Sequence, residues 1–218
     1  MTKLLLRDQT EATVRIGAEA NMSMETFVNL SAGTAFGFQL ATAVANASTA
    51  GSRAPAPIAA VRRAPHIRRA RYGSPIEFIV DLEPALRLVS DNGYIILGGI
   101  LLAFFKKGAE TWKLLEEAAT TRAERRQQKR TNEPSARVEP DGSLTFGPNP
   151  MPSDEELAEL GPLTEEAHAI EPLASLAASS GGDYDAARIA GFRVVRSLSH
   201  ADAMREMARR PDREIYFK

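Results

Sequence analysis

Residues 94–105 read YIILGGILLAFF, twelve consecutive positions whose only polar side-chain atom is the tyrosine hydroxyl. Lys106 and Lys107 close the run, and a helical pattern continues to about Arg130. Leu97, Leu101, Phe104, Gly108, Trp112, Leu115 and Ala119 recur at threes and fours, so they form one stripe along a helix. A single helix over 93–130 would be about 55 Å long at 1.5 Å per residue. That exceeds what a domain of this size covers, and the polar stretch beyond Ala119, TTRAERRQQKR, is expected to project into water or meet a partner.

Upstream, the pattern is that of a small β-α-β unit over 1–92. Thr13 to Ala20 alternates as a half-buried strand, with Val14, Ile16 and Ala18 on one face. Ser23 is a suitable N-cap for a helix from Met24 to about Ala47. Gly33 and Gly37 form a G-x-x-x-G, and its Thr, Ser, Asn and Gln surroundings point to close packing inside an ordinary core. Two short β runs follow, Ile67 to Tyr72 and Ile76 to Leu82, broken by Gly73-Ser74-Pro75. Pro75 has no N–H to give a ladder, so the pair reads as an edge strand with a bulge or as two strands tightly joined.

Downstream, residues 131–182 turn to proline, glycine and acid and read as a partly flexible connector. Within it, Val138 to Phe146 suggests a hairpin turning at Asp141-Gly142. Ser153 to Glu156 is a capping box for a short acidic helix. Residues 183–218 read as a small α+β segment: a helix from Asp183 to Ala190, a strand around Phe192 to Leu198, a helix capped by Ser199, and a last strand from Glu214 to Phe217. The fold class expected is therefore α+β in four parts, 1–92, 93–130, 131–182 and 183–218.

Composition narrows the chemistry. The chain has 218 residues, a formal net charge of -1, no cysteine and three histidines. Thiolate metal sites, disulfides and cysteine nucleophiles are excluded. Leu4-Leu5-Leu6 is interrupted at once by Arg7 and Asp8 and is too short for an export signal, so a cytoplasmic location is expected. Charge is strongly partitioned. Thr26 to Ile76 carries six arginines and no acid, and Val138 to Ala187 carries eleven acids and no lysine or arginine. The acidic segment could dock on the arginine segment, in cis or in trans, or the two could be solvated surfaces of opposite sign.

Catalytic motifs are not apparent. Neither a phosphate-binding glycine loop nor a G-x-S-x-G elbow is present. Glu165 and His168 have E-x-x-H spacing but stand as a single pair. Asp183-Tyr184-Asp185 is what a helix N-terminus ordinarily carries. Ala187 and Gly191 have helix-turn-helix spacing, but Val194-Val195 prefers a strand.

The function expected is a non-catalytic interaction or assembly protein that needs no cofactor or metal. Its docking face would be Ile95, Ile96, Leu97, Ile100, Leu101, Phe104, Phe105 and Trp112, buried against a second copy or another protein. Each such side chain removed from water is worth roughly 1.5–3 kcal/mol before ordering costs. The first alternative is a peripheral membrane protein. Twelve apolar residues give about 18 Å of helix against a hydrocarbon core near 30 Å, so insertion would be shallow, with Lys106 and Lys107 at the headgroups. The second is a nucleic-acid-binding regulator using Arg62, Arg63, Arg68, Arg69 and Arg71.

Overall fold

The computed structural model describes residues 9–18, 22–49, 66–89, 93–106, 109–132, 137–138, 144–145, 165–197 and 200–218. The strands are β1 (Glu11–Ile16), β2 (His66–Arg71), β3 (Ile76–Asp81), β4 (Arg137–Val138), β5 (Leu144–Thr145) and β6 (Arg213–Phe217). The helices are α1 (Met24–Thr49), α2 (Glu83–Leu86), α3 (Gly93–Lys106), α4 (Ala109–Asn132), α5 (Glu165–Ser179), α6 (Tyr184–Ser197) and α7 (Ala201–Ala208). The fold is α+β with a helical majority among the described residues.

A four-stranded antiparallel sheet runs in the order β2-β3-β1-β6. β1, α1 and β2 form a split β-α-β unit, with β3 inserted between the two parallel strands. The fourth strand comes from the far end of the chain: Ala12 lies opposite Phe217 and Ile16 opposite Arg213. Residues 183–218, expected as a segment apart, are therefore joined to the N-terminal sheet. The reason is the matched alternation of β6, whose Ile215 enters the core while Glu214 and Tyr216 stay outside.

Alternation sorts the sheet's two faces. Ala12, Val14, Ile16, Ile76, Phe78, Val80 and Ile215 are buried on the inner face. Ser23 caps α1 as its sequence suggests, its Oγ accepting from the Thr26 N–H at 3.1 Å. Phe27 then sets the helix on the sheet, its ring 5.7 Å from Phe78. From there α1 becomes the central helix, in contact with α3, α5, α6 and α7. Its buried hydroxyls do not oppose this, because Thr34 donates to the Leu30 carbonyl at 2.8 Å and Thr42 to the Phe38 carbonyl at 2.7 Å. By length and composition α1 is the one described helix that could cross a membrane, yet 61% of its apolar window is buried inside the protein.

Two expected elements are corrected. The single helix over 93–130 is two helices, with Lys107 and Gly108 outside the described residues. Phe104 and Trp112 would be about 12 Å apart on a straight helix. Here their rings lie 4.1 Å apart, and the Trp112 indole N–H donates to the Phe104 carbonyl at 2.9 Å. That bond satisfies a carbonyl that the end of α3 leaves without a helical partner. The expected strand over 192–198 is instead the second half of α6. Ala187, Ala190, Gly191, Val194 and Val195 form a buried helical stripe, and this packing overrides the β preference of two adjacent valines.

Other expectations match. β2 is an edge strand and carries a bulge between Ile67 and Arg69, and the Gly73 to Pro75 turn joins it to β3. The Ser74-Pro75 peptide bond is cis. Val138 pairs with Leu144 where the hairpin over Val138 to Phe146 is expected, and its turn at Asp141-Gly142 lies outside the described residues. The acidic helix expected from Ser153, and the Ser199 cap, lie outside the described residues.

Candidate functional site

The docking face expected on α3 is for the most part an interior surface. Ile96, Leu97, Ile100, Leu101, Phe104, Phe105 and Trp112 are all buried by their own chain. What makes room for them is α1. A Cβ placed on Gly37 would lie 2.5 Å from the Phe104 ring and 3.0 Å from that of Phe105, so only a bare backbone lets the two helices meet. Phe38 and Phe105 stand 5.5 Å apart, Phe104 and Phe105 likewise, and Trp112 closes the aromatic cluster. Gly33 has the same role one turn earlier, where a Cβ would lie 2.4 Å from Met207 of α7. Seven of the eight expected contact residues are thus corrected from docking face to core, because α1, bare at Gly37, packs against the side of α3 that carries Phe104 and Phe105.

Ile95 remains outside, 59% exposed. It starts a narrow outward stripe at helical spacing: Ile95, Gly99, Leu102, Ala103 and Lys106. Leu102 and Ala103 are half-buried and Lys106 is exposed. A Cβ on Gly99 would meet nothing within 4 Å. Glycine in a helix interior costs about 1 kcal/mol relative to alanine. No packing among the described residues accounts for it here.

The described members of the expected basic patch do not form one surface. Arg62, Arg63 and Lys107 lie outside the described residues. Arg68, Arg69 and Arg71 are on β2 at one edge of the sheet, and Lys106 sits beside β6 at the other, its Nζ 5.9 Å from the Tyr216 ring centroid. Register explains what the arginines do instead. Arg71, Glu77, Arg15 and Glu214 stand opposite one another across the outer face, in a row of alternating sign. Arg15 reaches Glu77 at 2.8 Å and Arg71 reaches it at 3.5 Å. Arg68 bridges Asp81 at 2.8 Å and Glu11 at 3.0 Å. Hydrogen bonding to Glu77 raises the affinity of Arg15 for its proton, and Asp81 does the same for Arg68. The Tyr216 hydroxyl donates to Glu214, which holds that phenol above its usual range.

Sequence reasoning missed Arg213. Its side chain is 5% exposed, donates to the Met207 carbonyl at the end of α7, and lies 5.6 Å from the Trp112 ring centroid. Burial pulls its pKa down to about 10. A cation over an indole face and a hydrogen bond to a helix C-terminus both favour the charged form. The arrangement locks α4, α7 and β6 together. Only its alternation with Ile215 on β6 could have signalled it.

The remaining motifs resolve into structure. Ala187 and Gly191 sit on one continuous helix, with Gly191 packed against Ile170 and Val44, so no helix-turn-helix forms there. Asp183 caps α6 through its Oδ1 and the Ala186 N–H at 3.0 Å. His168 faces Glu171 at 3.9 Å on the surface of α5. His200 lies edge-on to Phe36, with ring centroids 6.3 Å apart. Among the described residues no group of three or more His, Asp or Glu side chains is placed to hold a metal ion. Comparison with protein-family models, curated proteins and solved structures finds no match.

Proposed function

We propose that the protein is a cytoplasmic, non-catalytic assembly module that binds a second copy of itself through the outward stripe of α3. The observation that carries this reading is the pairing of exposed Ile95 with Gly99, whose side has open space around it. An isoleucine in water and a helix-centre glycine without a neighbour among the described residues each carry a cost, and close approach of another α3 would relieve both. Two copies crossing at Gly99 would set Ile95 of one against Leu102 and Ala103 of the other. The stripe is small beside the roughly 800 Å² per partner of a standard interface, so the association is concentration-dependent rather than obligate.

Light scattering after gel filtration tests this. The expected result is a mass that rises toward the dimer with concentration and changes little with salt. Ile95→Asp should hold the protein monomeric with its thermal unfolding unchanged, because Ile95 supports nothing in the core. A monomer across the accessible concentration range overturns the reading. Pelleting of that monomer with anionic liposomes would instead assign the stripe and Lys106 to a membrane surface.

A further inference from the structure

The geometry points to the free edge of β2 as a site for strand addition by an extended peptide alternating acidic and apolar residues. The two edges of the sheet differ. β6 runs beside α3, whereas no described strand pairs with the outer edge of β2, and five of its six residues are exposed. Such an edge presents a row of backbone donors and acceptors to any chain that can lie along it.

The pleat then decides what that chain must carry. Arg69 lies opposite Ile79 and Arg71 opposite Glu77 on the outer face, while Ile67 lies opposite Val80 and Ala70 opposite Phe78 on the inner face. Arg71 shares Glu77 with Arg15, and Arg69 makes no ion pair among the described residues. A strand added beside β2 would therefore meet the cationic Arg69 and Arg71 on one face and apolar groups on the other. The apolar side continues beyond β2. Tyr72 is 57% exposed, held by its hydroxyl on the Met22 carbonyl at 2.5 Å and by its ring 5.9 Å from Phe27. Met24 and Val28, on the turns of α1 that carry Phe27, are 73% and 56% exposed.

Charge also excludes the simplest competitor. A second β2 pairing antiparallel with this one would bring arginine against arginine, and like charges directly opposite are destabilising. Complementarity selects acid at every other position of the incoming strand and a small or branched apolar residue between.

Fluorescence anisotropy with a capped, labelled octapeptide alternating Glu and Val tests the site, with the Lys/Val octapeptide as its counterpart. The Glu/Val peptide is expected to bind and the Lys/Val peptide not to. Arg69→Glu should weaken binding about tenfold without moving the thermal unfolding of the protein. Hydrogen exchange at the amides of 66–71 should slow when the peptide is present. No binding of the Glu/Val peptide, equal binding of both peptides, indifference to Arg69→Glu, or protection confined to another segment would each overturn the site. An oligonucleotide that displaces the peptide more strongly than unlabelled peptide would overturn it in favour of a polyanion surface.

Discussion

Gly37 and Gly99 occupy the two described helices that give the most residues to the apolar core, and their surroundings are opposite. At Gly37 two phenylalanine rings press against the backbone of α1, whereas Gly99 on α3 faces open space. α1 is rich in Thr, Ser, Asn and Gln yet lies at the centre, and α3 is almost wholly apolar yet keeps one side in water. Apolar content therefore does not rank helices by depth. The helix with glycines at a four-residue spacing accepted neighbours on several sides, and its buried Thr34 and Thr42 hydroxyls bond to carbonyls one turn back.

The comparison breaks most visibly at Trp112, where α3, α4 and β6 converge. Trp112→Ala removes the indole from Phe104, Phe105 and Arg213 and leaves the Phe104 carbonyl unpaired. The expected cost is about 3–5 kcal/mol, read as a fall of about 10 °C or more in Tm. A Tm within a few degrees of the parent would show that the aromatic cluster does not hold these elements together.

Gly37→Ala is the next largest. Its methyl would enter the Phe104 and Phe105 rings, and overpacking of this kind costs about 1–3 kcal/mol by chemical denaturation. Gly99→Ala sharpens the contrast from the other side, with a gain of about 1 kcal/mol from helix propensity alone and a Tm rise of about 2–4 °C in calorimetry. The same substitution with opposite sign at the two sites is the expectation. Equal signs would mean that the two glycines are not packed as differently as described.

Much of the local structure was legible in the sequence. The Ser23 cap, the alternation of β1 and β3 and the break at Gly73 to Pro75 are each set by nearest neighbours along the chain. What failed depended on distant partners. Val194-Val195 reads as a strand until Ile170 and Val44 are known to lie against Gly191. The run from Tyr94 to Phe105 reads as a docking face until Gly37 is seen to open α1 to it. The alternating charge row appears only once register places Arg71, Glu77, Arg15 and Glu214 side by side, since those residues are far apart in the chain.

The pairing of β1 with β6 sets the order in which a ribosome can finish this molecule. Residues 11–16 emerge early, but the neighbour on one of their flanks is synthesised some two hundred positions later. Until then the nascent sheet has β1 as a bare border, with Val14 and Ile16 covered on one side only. Long-range pairing of this kind is slow and leaves partly formed sheet open to wrong partners. Growing chains on crowded polysomes would meet that hazard together, and emergence of β6 is the event that ends it.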